Sequence, residues 1–257
     1  MTEADIRRDR VRMNLVMRSL LRADATVLLR SRASTVLSVL LPIVILVVTM
    51  FGKAQPRLGS PESVLGLALT LGMVTSCLLG YSLTLAHDRE VGVLQRLRVT
   101  PAPAWMIMAS RLLVQLSSNL VASVIVVIVG TILRGLSLSI GQYGLVFAVA
   151  VLGAAMFLSI GQALVALVKS TAAINASGRV LFIILILLGL LGGTGILGDT
   201  MKIIAEWSPI GALMTLFADA LNNASWSDQD AQSLLACTAY IVAFSFVGIR
   251  WFRWDSR

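Results

Sequence analysis

The 257-residue chain is 57% hydrophobic and 13% charged, with a net charge of +8 and a mean hydropathy of +0.88. A soluble domain carries roughly 25% charged residues, so these proportions exclude an ordinary soluble enzyme and leave little chain for a separate soluble domain. They predict an all-α membrane protein whose basic excess marks one membrane side, not a nucleic-acid surface.

Residues 1–33 are rich in arginine: Arg7, Arg8, Arg10, Arg12, Arg18, Arg22, Arg30 and Arg32. Met13, Val16, Met17, Leu20, Leu21, Val27 and Leu28 recur at i, i+3, i+4 and i+7, with Arg18 and Arg22 on another face. This pattern predicts a basic amphipathic helix lying in the lipid headgroup layer. The first apolar run begins only after this charged stretch, unlike a cleavable leader, so the stretch is read as part of the working protein.

A membrane-spanning helix needs about twenty mostly apolar residues. On that basis residues 34–257 form one membrane domain with six spans, near 34–52, 64–86, 112–133, 143–168, 178–197 and 232–249. Pro42 falls inside the first span, where packing against neighbouring helices tolerates it. With the N-terminus inside, seventeen of the 21 Lys and Arg residues fall on the cytoplasmic side. That bias supports an even number of spans and places both termini in the cytoplasm. The glycine-rich run Gly189–Gly195 predicts a helix break or close helix packing. Residues 198–231 carry an apolar stretch too short to span, which predicts a re-entrant or interfacial helix before the last span.

Catalytic and metal constellations are absent from the pattern. His87 is the sole histidine, and Cys77 and Cys237 lie in separate apolar runs. None of these has metal-ligand or disulfide-framework spacing. No GxxxxGK[ST] stretch occurs, so no phosphate cradle is expected on this chain. No acid falls mid-span; Asp219, in the short apolar stretch, is ambiguous.

The informative segment is 86–111. Asp88, Arg89 and Glu90 open it, and Val91, Val93, Leu94 and Leu97 supply apolar contacts along a short helix with Arg96 and Arg98 interleaved. Thr100-Pro101-Ala102-Pro103 ends that helix, since a residue before proline avoids the α region, and Trp105 stands where an interfacial aromatic is expected. On spacing alone, a partner-docking helix and a solvated topology loop are equally acceptable.

This segment resembles the cytoplasmic loop of type-2 ABC transporter permeases, the drug, antibiotic and polysaccharide exporters. That loop carries a charged cluster, then Gly-Thr-Leu-Glu, a nearby leucine and Thr-Pro. Arg89, Glu90, Gly92, Leu94, Leu97, Thr100 and Pro101 match it. Val93 replaces the common threonine, Gln95 the common glutamate, and His87 a frequent acid. The basic N-terminal helix, the six spans and Ser208-Pro209 before the last span extend the likeness over the whole chain.

The resemblance implies a permease subunit of an ATP-driven exporter in the bacterial cytoplasmic membrane. Its partners would be a separate ABC ATPase, a second permease subunit and membrane lipids. The chain itself would bind no cofactor, with ATP and Mg on the ATPase. The docking loop would comprise Arg89, Glu90, Gly92, Leu94, Arg96, Leu97, Thr100 and Pro101. Two Leu-Ser-Ile-Gly-Gln stretches, 138–142 and 158–162, faintly resemble the ATPase signature, but both fall within or beside spans and are read as chance. Small polar residues inside the spans (Thr75, Ser76, Ser118, Asn119 and Gln162) suit either an amphipathic, lipid-like substrate path or helix–helix contacts. Polysaccharide or sodium export, a membrane enzyme and a non-transporting sensor are the competing readings. The low aromatic content of 6% disfavours polysaccharide, and the lack of paired catalytic groups disfavours the enzyme.

Overall fold

The computed structural model describes residues 3–30, 32–51, 60–98, 103–189, 198–222 and 226–251, which are helical and contain no strand. Residues 190–197, which include most of the glycine-rich run, lie outside the described residues.

Helix α1 (Glu3–Arg30) is amphipathic and packs against α6 (Ala104–Arg134). Val16, Met17, Leu20, Leu21 and Leu28 are half-buried, while Arg18 and Arg22 are exposed, as the spacing predicts. Met13 and Val27, expected on the same face, are exposed. Helix α2 (Arg32–Phe51) contains Pro42 and packs on α3 and α6.

The central rod runs from Pro61 to Glu90. Ser60 caps it, its Oγ accepting from the Ser63 amide at 3.3 Å, and Pro61 occupies the first helical position. Both features suit a helix start, where donors lack intrahelical partners. The rod comprises α3 (Pro61–Met73), a π-helical segment (Val74–Gly80) and α4 (Tyr81–Glu90). Its apolar window is 72% buried, against 22% for α6, so this rod and not α6 is the axis of the bundle.

A turn at Val91 and Gly92 leads to α5 (Val93–Arg98). Gly135, at φ 64°, terminates α6 in the left-handed conformation that glycine adopts without a Cβ clash. Helix α7 (Ile140–Leu167) starts at a capping box between Ser139 and Gln142. Helix α8 (Thr171–Leu187) is capped by Ser170. Helices α9 (Asp199–Trp207) and α10 (Pro209–Asn222) follow, and α11 (Asp228–Arg250) closes the order behind a Ser227–Asp230 capping box.

Among the described residues, four helices are long and apolar enough to cross a membrane: Pro61–Glu90, Trp105–Leu133, Ile140–Leu167 and Asp228–Arg250. They overlap the second, third, fourth and sixth predicted spans. Shorter apolar helices, Val39–Thr49 and Thr171–Leu187, occupy the places of the first and fifth. The structure therefore supports four spans by length and composition, or up to five if α9 and α10 count as one broken span. It does not by itself reach the expected six.

Helices α9 and α10 meet at 78°. Ser208 makes this corner: its Oγ donates to the Ala205 carbonyl at 2.6 Å and accepts from the Gly211 amide at 3.0 Å. One hydroxyl thus closes α9 and caps α10, with Pro209 at the first position of the new helix. Helix α10 then enters the core. Leu213 and Phe217 are fully buried. Glycines on the neighbouring helices make room for them: a Cβ on Gly153 would lie 2.6 Å from Leu213 Cδ2, and one on Gly66 would lie 3.1 Å from Phe217 Cβ. Helix α9 stays at the surface, with Met201, Ile203 and Ile204 exposed.

Candidate functional site

The end of the bundle where α1, α4, α5 and the α7–α8 corner gather holds most of the described polar cross-links. Asp88 and Arg89, adjacent in the last turn of α4, point to different neighbours. Asp88 Oδ2 accepts from Arg111 on α6 at 2.5 Å, with both side chains largely buried. Beside them the Ser110 hydroxyl donates to Asp24 on α1.

Arg89 turns the other way. It is 3% exposed, and its guanidinium donates to the carbonyls of Val165 (2.8 Å), Val168 (2.8 Å) and Lys169 (2.7 Å). The first carbonyl lies in the last turn of α7 and the other two follow directly after it, where the helix's last carbonyls lack intrahelical donors and its dipole favours a cation. A planar guanidinium with five donors suits such a cluster. The Thr171 hydroxyl adds a contact to the Ala86 carbonyl at 3.4 Å.

The turn after α4 depends on Gly92, whose φ of 74° lies in the left-handed region. Beyond it Leu94 is fully buried, Leu97 half-buried, and Gln95 and Arg96 exposed. Glu90 and Val91 are exposed as well, Val91 at 49%. Arg89 and Leu94, matched to the docking loop by sequence, face inward as anchors of the turn. Val91 takes the outward apolar place. The sequence reading ran one helix through 91–97, which would put Val91 and Leu94 on a common face. The positive φ of Gly92 breaks that helix and sends them apart. Thr100 and Pro101 lie outside the described residues.

Asp24 is strained by its setting. Burial pushes its carboxyl above the ordinary value; the Ser110 hydrogen bond and the Arg111 charge hold it back in part, and the Asp88 charge adds to the rise. A raised acid binds its proton more tightly folded than unfolded, so this contribution is present at low pH and lost as pH climbs through the folded titration. Asp24→Asn, whose amide oxygen still accepts from Ser110, is therefore expected to match the native protein near pH 4 and to melt higher above it. The gap should open with rising pH and then level off. Paired thermal melts across pH check this, and a gap that widens toward acid would contradict it.

The predicted path residues do not converge on one cavity. Thr75 donates to its own helix at the Leu71 carbonyl (2.8 Å), and Ser76 accepts from Gln115 on α6 (3.3 Å). Asn119 is buried and donates to the Gln115 carbonyl (2.9 Å), while Ser118 is half-buried on the same helix. Gln162 on α7 accepts from the Tyr81 hydroxyl at 3.3 Å and borders a separate groove of about 240 Å3 between α6, α7 and α11. Among the described residues, no group of three or more His, Cys, Asp or Glu side chains is placed to hold a metal ion.

The family model for ABC-2 type transporters matches residues 16–222, from within α1 to the last residue of α10. The chain belongs to the ABC-2 type transporter family. No curated protein gives a match. As an ABC-2 membrane component the chain is a multi-pass permease subunit and not itself the catalytic part of the transporter. Both Leu-Ser-Ile-Gly-Gln stretches have architectural roles in this ABC-2 fold. Ser139 and Gln142 cap α7, and the Gln142 amide also donates to the Leu221 carbonyl at 2.6 Å. Gly161 and Gln162 pack α7 on the central rod.

Proposed function

We propose that this chain is the membrane subunit of an ATP-driven exporter with six spans and both termini in the cytoplasm, in the bacterial inner membrane. Helices α2 and α8 serve as the first and fifth spans, α1 lies in the headgroup layer, and α9–α10 is a re-entrant pair on the outer side. Two permease subunits pair, and each engages a separate ABC ATPase that binds ATP and Mg. The charge bias supports this orientation, with seventeen of 21 basic residues inside.

The observation that carries the reading is the α4–α5 turn. Its backbone is pinned from within by Arg89 and Leu94, while Glu90, Val91 and Arg96 face outward. An apolar knob between opposite charges on a rigid turn is suited to a groove on a partner. The substrate is an amphipathic or lipid-like compound. Supporting this, the groove between α7, α8, α9 and α11, about 640 Å3, is lined by Leu164, Leu185, Ile204, Trp207 and Phe244. Ser76 and Gln162 act as helix–helix contacts, and Thr75 and Asn119 bond within their own helices, so none of these is assigned as a substrate ligand.

Val91→Glu tests the docking surface. Co-expressed with an ABC ATPase from the same genome, the variant is expected to capture about tenfold less ATPase, a loss of about 1.4 kcal/mol. Its own melting should be unchanged, because Val91 is solvent-facing. Undiminished capture would sink the docking surface, and a native chain that captures no ATPase would sink the exporter reading.

A further inference from the structure

We infer that Arg89 is a positioning residue that makes the docking turn and the α7–α8 corner one rigid unit, so that a push on α5 is delivered to α7 and α8 and not to α6. This rests on the exporter reading for its purpose, but the rigid unit itself is a property of the folded chain.

The two neighbouring side chains at the end of α4 differ in how they transmit force. Asp88 reaches α6 through a single contact between one of its oxygens and one arginine nitrogen. Two flexible side chains in series yield by changing rotamer. Arg89 reaches main-chain carbonyls directly, three of them, 76 to 80 residues away in sequence. Its guanidinium is flat and buried, and the three acceptors lie at the end of one helix and in the turn that follows it. Displacing α4 relative to α7 would break all three bonds together, and the one to Val165 is buried, where a lost hydrogen bond is costly.

Further contacts join the same pieces. Thr171 at the start of α8 bonds Ala86 in α4, and Tyr81 in α4 bonds Gln162 in α7. Gly178 lets α8 press on Leu79, where an added Cβ would come within 3.1 Å. From α7 the path continues outward. Gly248 of α11 sits against Gln162, and Gly153 receives Leu213 of the α10 helix. A rigid α4–α7–α8 block therefore connects the docking turn to the re-entrant pair at the far end.

Spin-label distances test this. One pair, Gln95→Cys with Ala172→Cys, joins α5 to α8; a second, Gln95→Cys with Leu113→Cys, joins α5 to α6. All three positions are exposed, and the native Cys77 and Cys237 are buried. In the permease alone, Arg89→Gln is expected to broaden the 95–172 distribution, while Arg89→Lys, a point charge that cannot span three carbonyls, broadens it to an intermediate degree. In the ATPase complex with Arg89 present, trapping with ATP and vanadate should leave 95–172 within about 2 Å of its nucleotide-free value and shift 95–113. With Arg89→Gln, 95–172 should shift as well. A 95–172 distribution in the isolated permease that ignores both substitutions would overturn the inference, as would a native complex in which 95–172 moves and 95–113 does not. Failure to form the complex would count against the exporter reading, and the measurement on the permease alone would still decide the role of Arg89.

Discussion

Gly211→Ala is expected to lower the melting temperature of the purified protein by roughly 10 °C, about 3 kcal/mol or more. Gly211 sits in the first turn of α10, folded back against the end of α9. A Cβ placed there would lie 1.9 Å from the Ala205 carbonyl oxygen and 2.8 Å from its carbon. Those atoms are backbone and cannot swing aside as a side-chain tip would. They are also held in place, since the Ala205 carbonyl accepts from both the Ser208 amide and the Ser208 hydroxyl. The variant must therefore open the 78° corner, which pulls Leu213 and Phe217 out of their glycine-lined seats. Gly144→Ala is the control: nothing lies within 4 Å of a Cβ there, and replacing glycine within a helix gains a few tenths of a kcal/mol to about 1 kcal/mol. Melting of the two variants within about 3 °C of each other would show that the corner is not the tight element described above.

Gly161→Leu is expected to cost about 3 kcal/mol, with Gly161→Ala near 1 kcal/mol. Gly161 is where α7 meets the π-helical segment. A Cβ at this position would stand 3.0 Å from the Cys77 carbonyl oxygen, 3.4 Å from that of Leu78 and 3.6 Å from Leu78 Cα. Helices without a hydrophobic drive between them associate through such close backbone approach, which small residues permit. A single methyl group is absorbed by a shift of a few tenths of an ångström. An isobutyl group forces α7 away from the central rod and takes the Tyr81–Gln162 hydrogen bond with it. Detergent-solubilised melts check the order native, Ala, Leu. A Leu variant as stable as the Ala variant would mean that α7 slides on the rod without loss.

The elements that were legible in the sequence are those governed by local periodicity. The amphipathic spacing of α1 located its half-buried face, apart from Met13 and Val27, which are exposed. Apolar stretches located the four long helices and the two shorter ones. The short apolar stretch within 198–231 located α10, because its length and composition are local properties. The candidate site was legible as a segment but not as a surface. Residues 87–98 were identified by their motif, yet their side chains could not be sorted into inward and outward sets, since Gly92 interrupts the helical phase that such sorting assumes.

Hydropathy along the chain determined that this is a helical membrane protein, because solvent preference belongs to each residue separately. Only the tertiary structure decided where Arg89 goes. A charged residue beside Asp88 and Glu90 reads as surface, and the three carbonyls that bury it belong to a helix end 76 to 80 residues further along. The fate of α10 was decided the same way. Its length suited either a re-entrant or an interfacial helix, and glycines on α3 and α7 left the space that its leucine and phenylalanine fill. Both outcomes depend on groups that meet only when distant helices pack, and no local pattern encodes them.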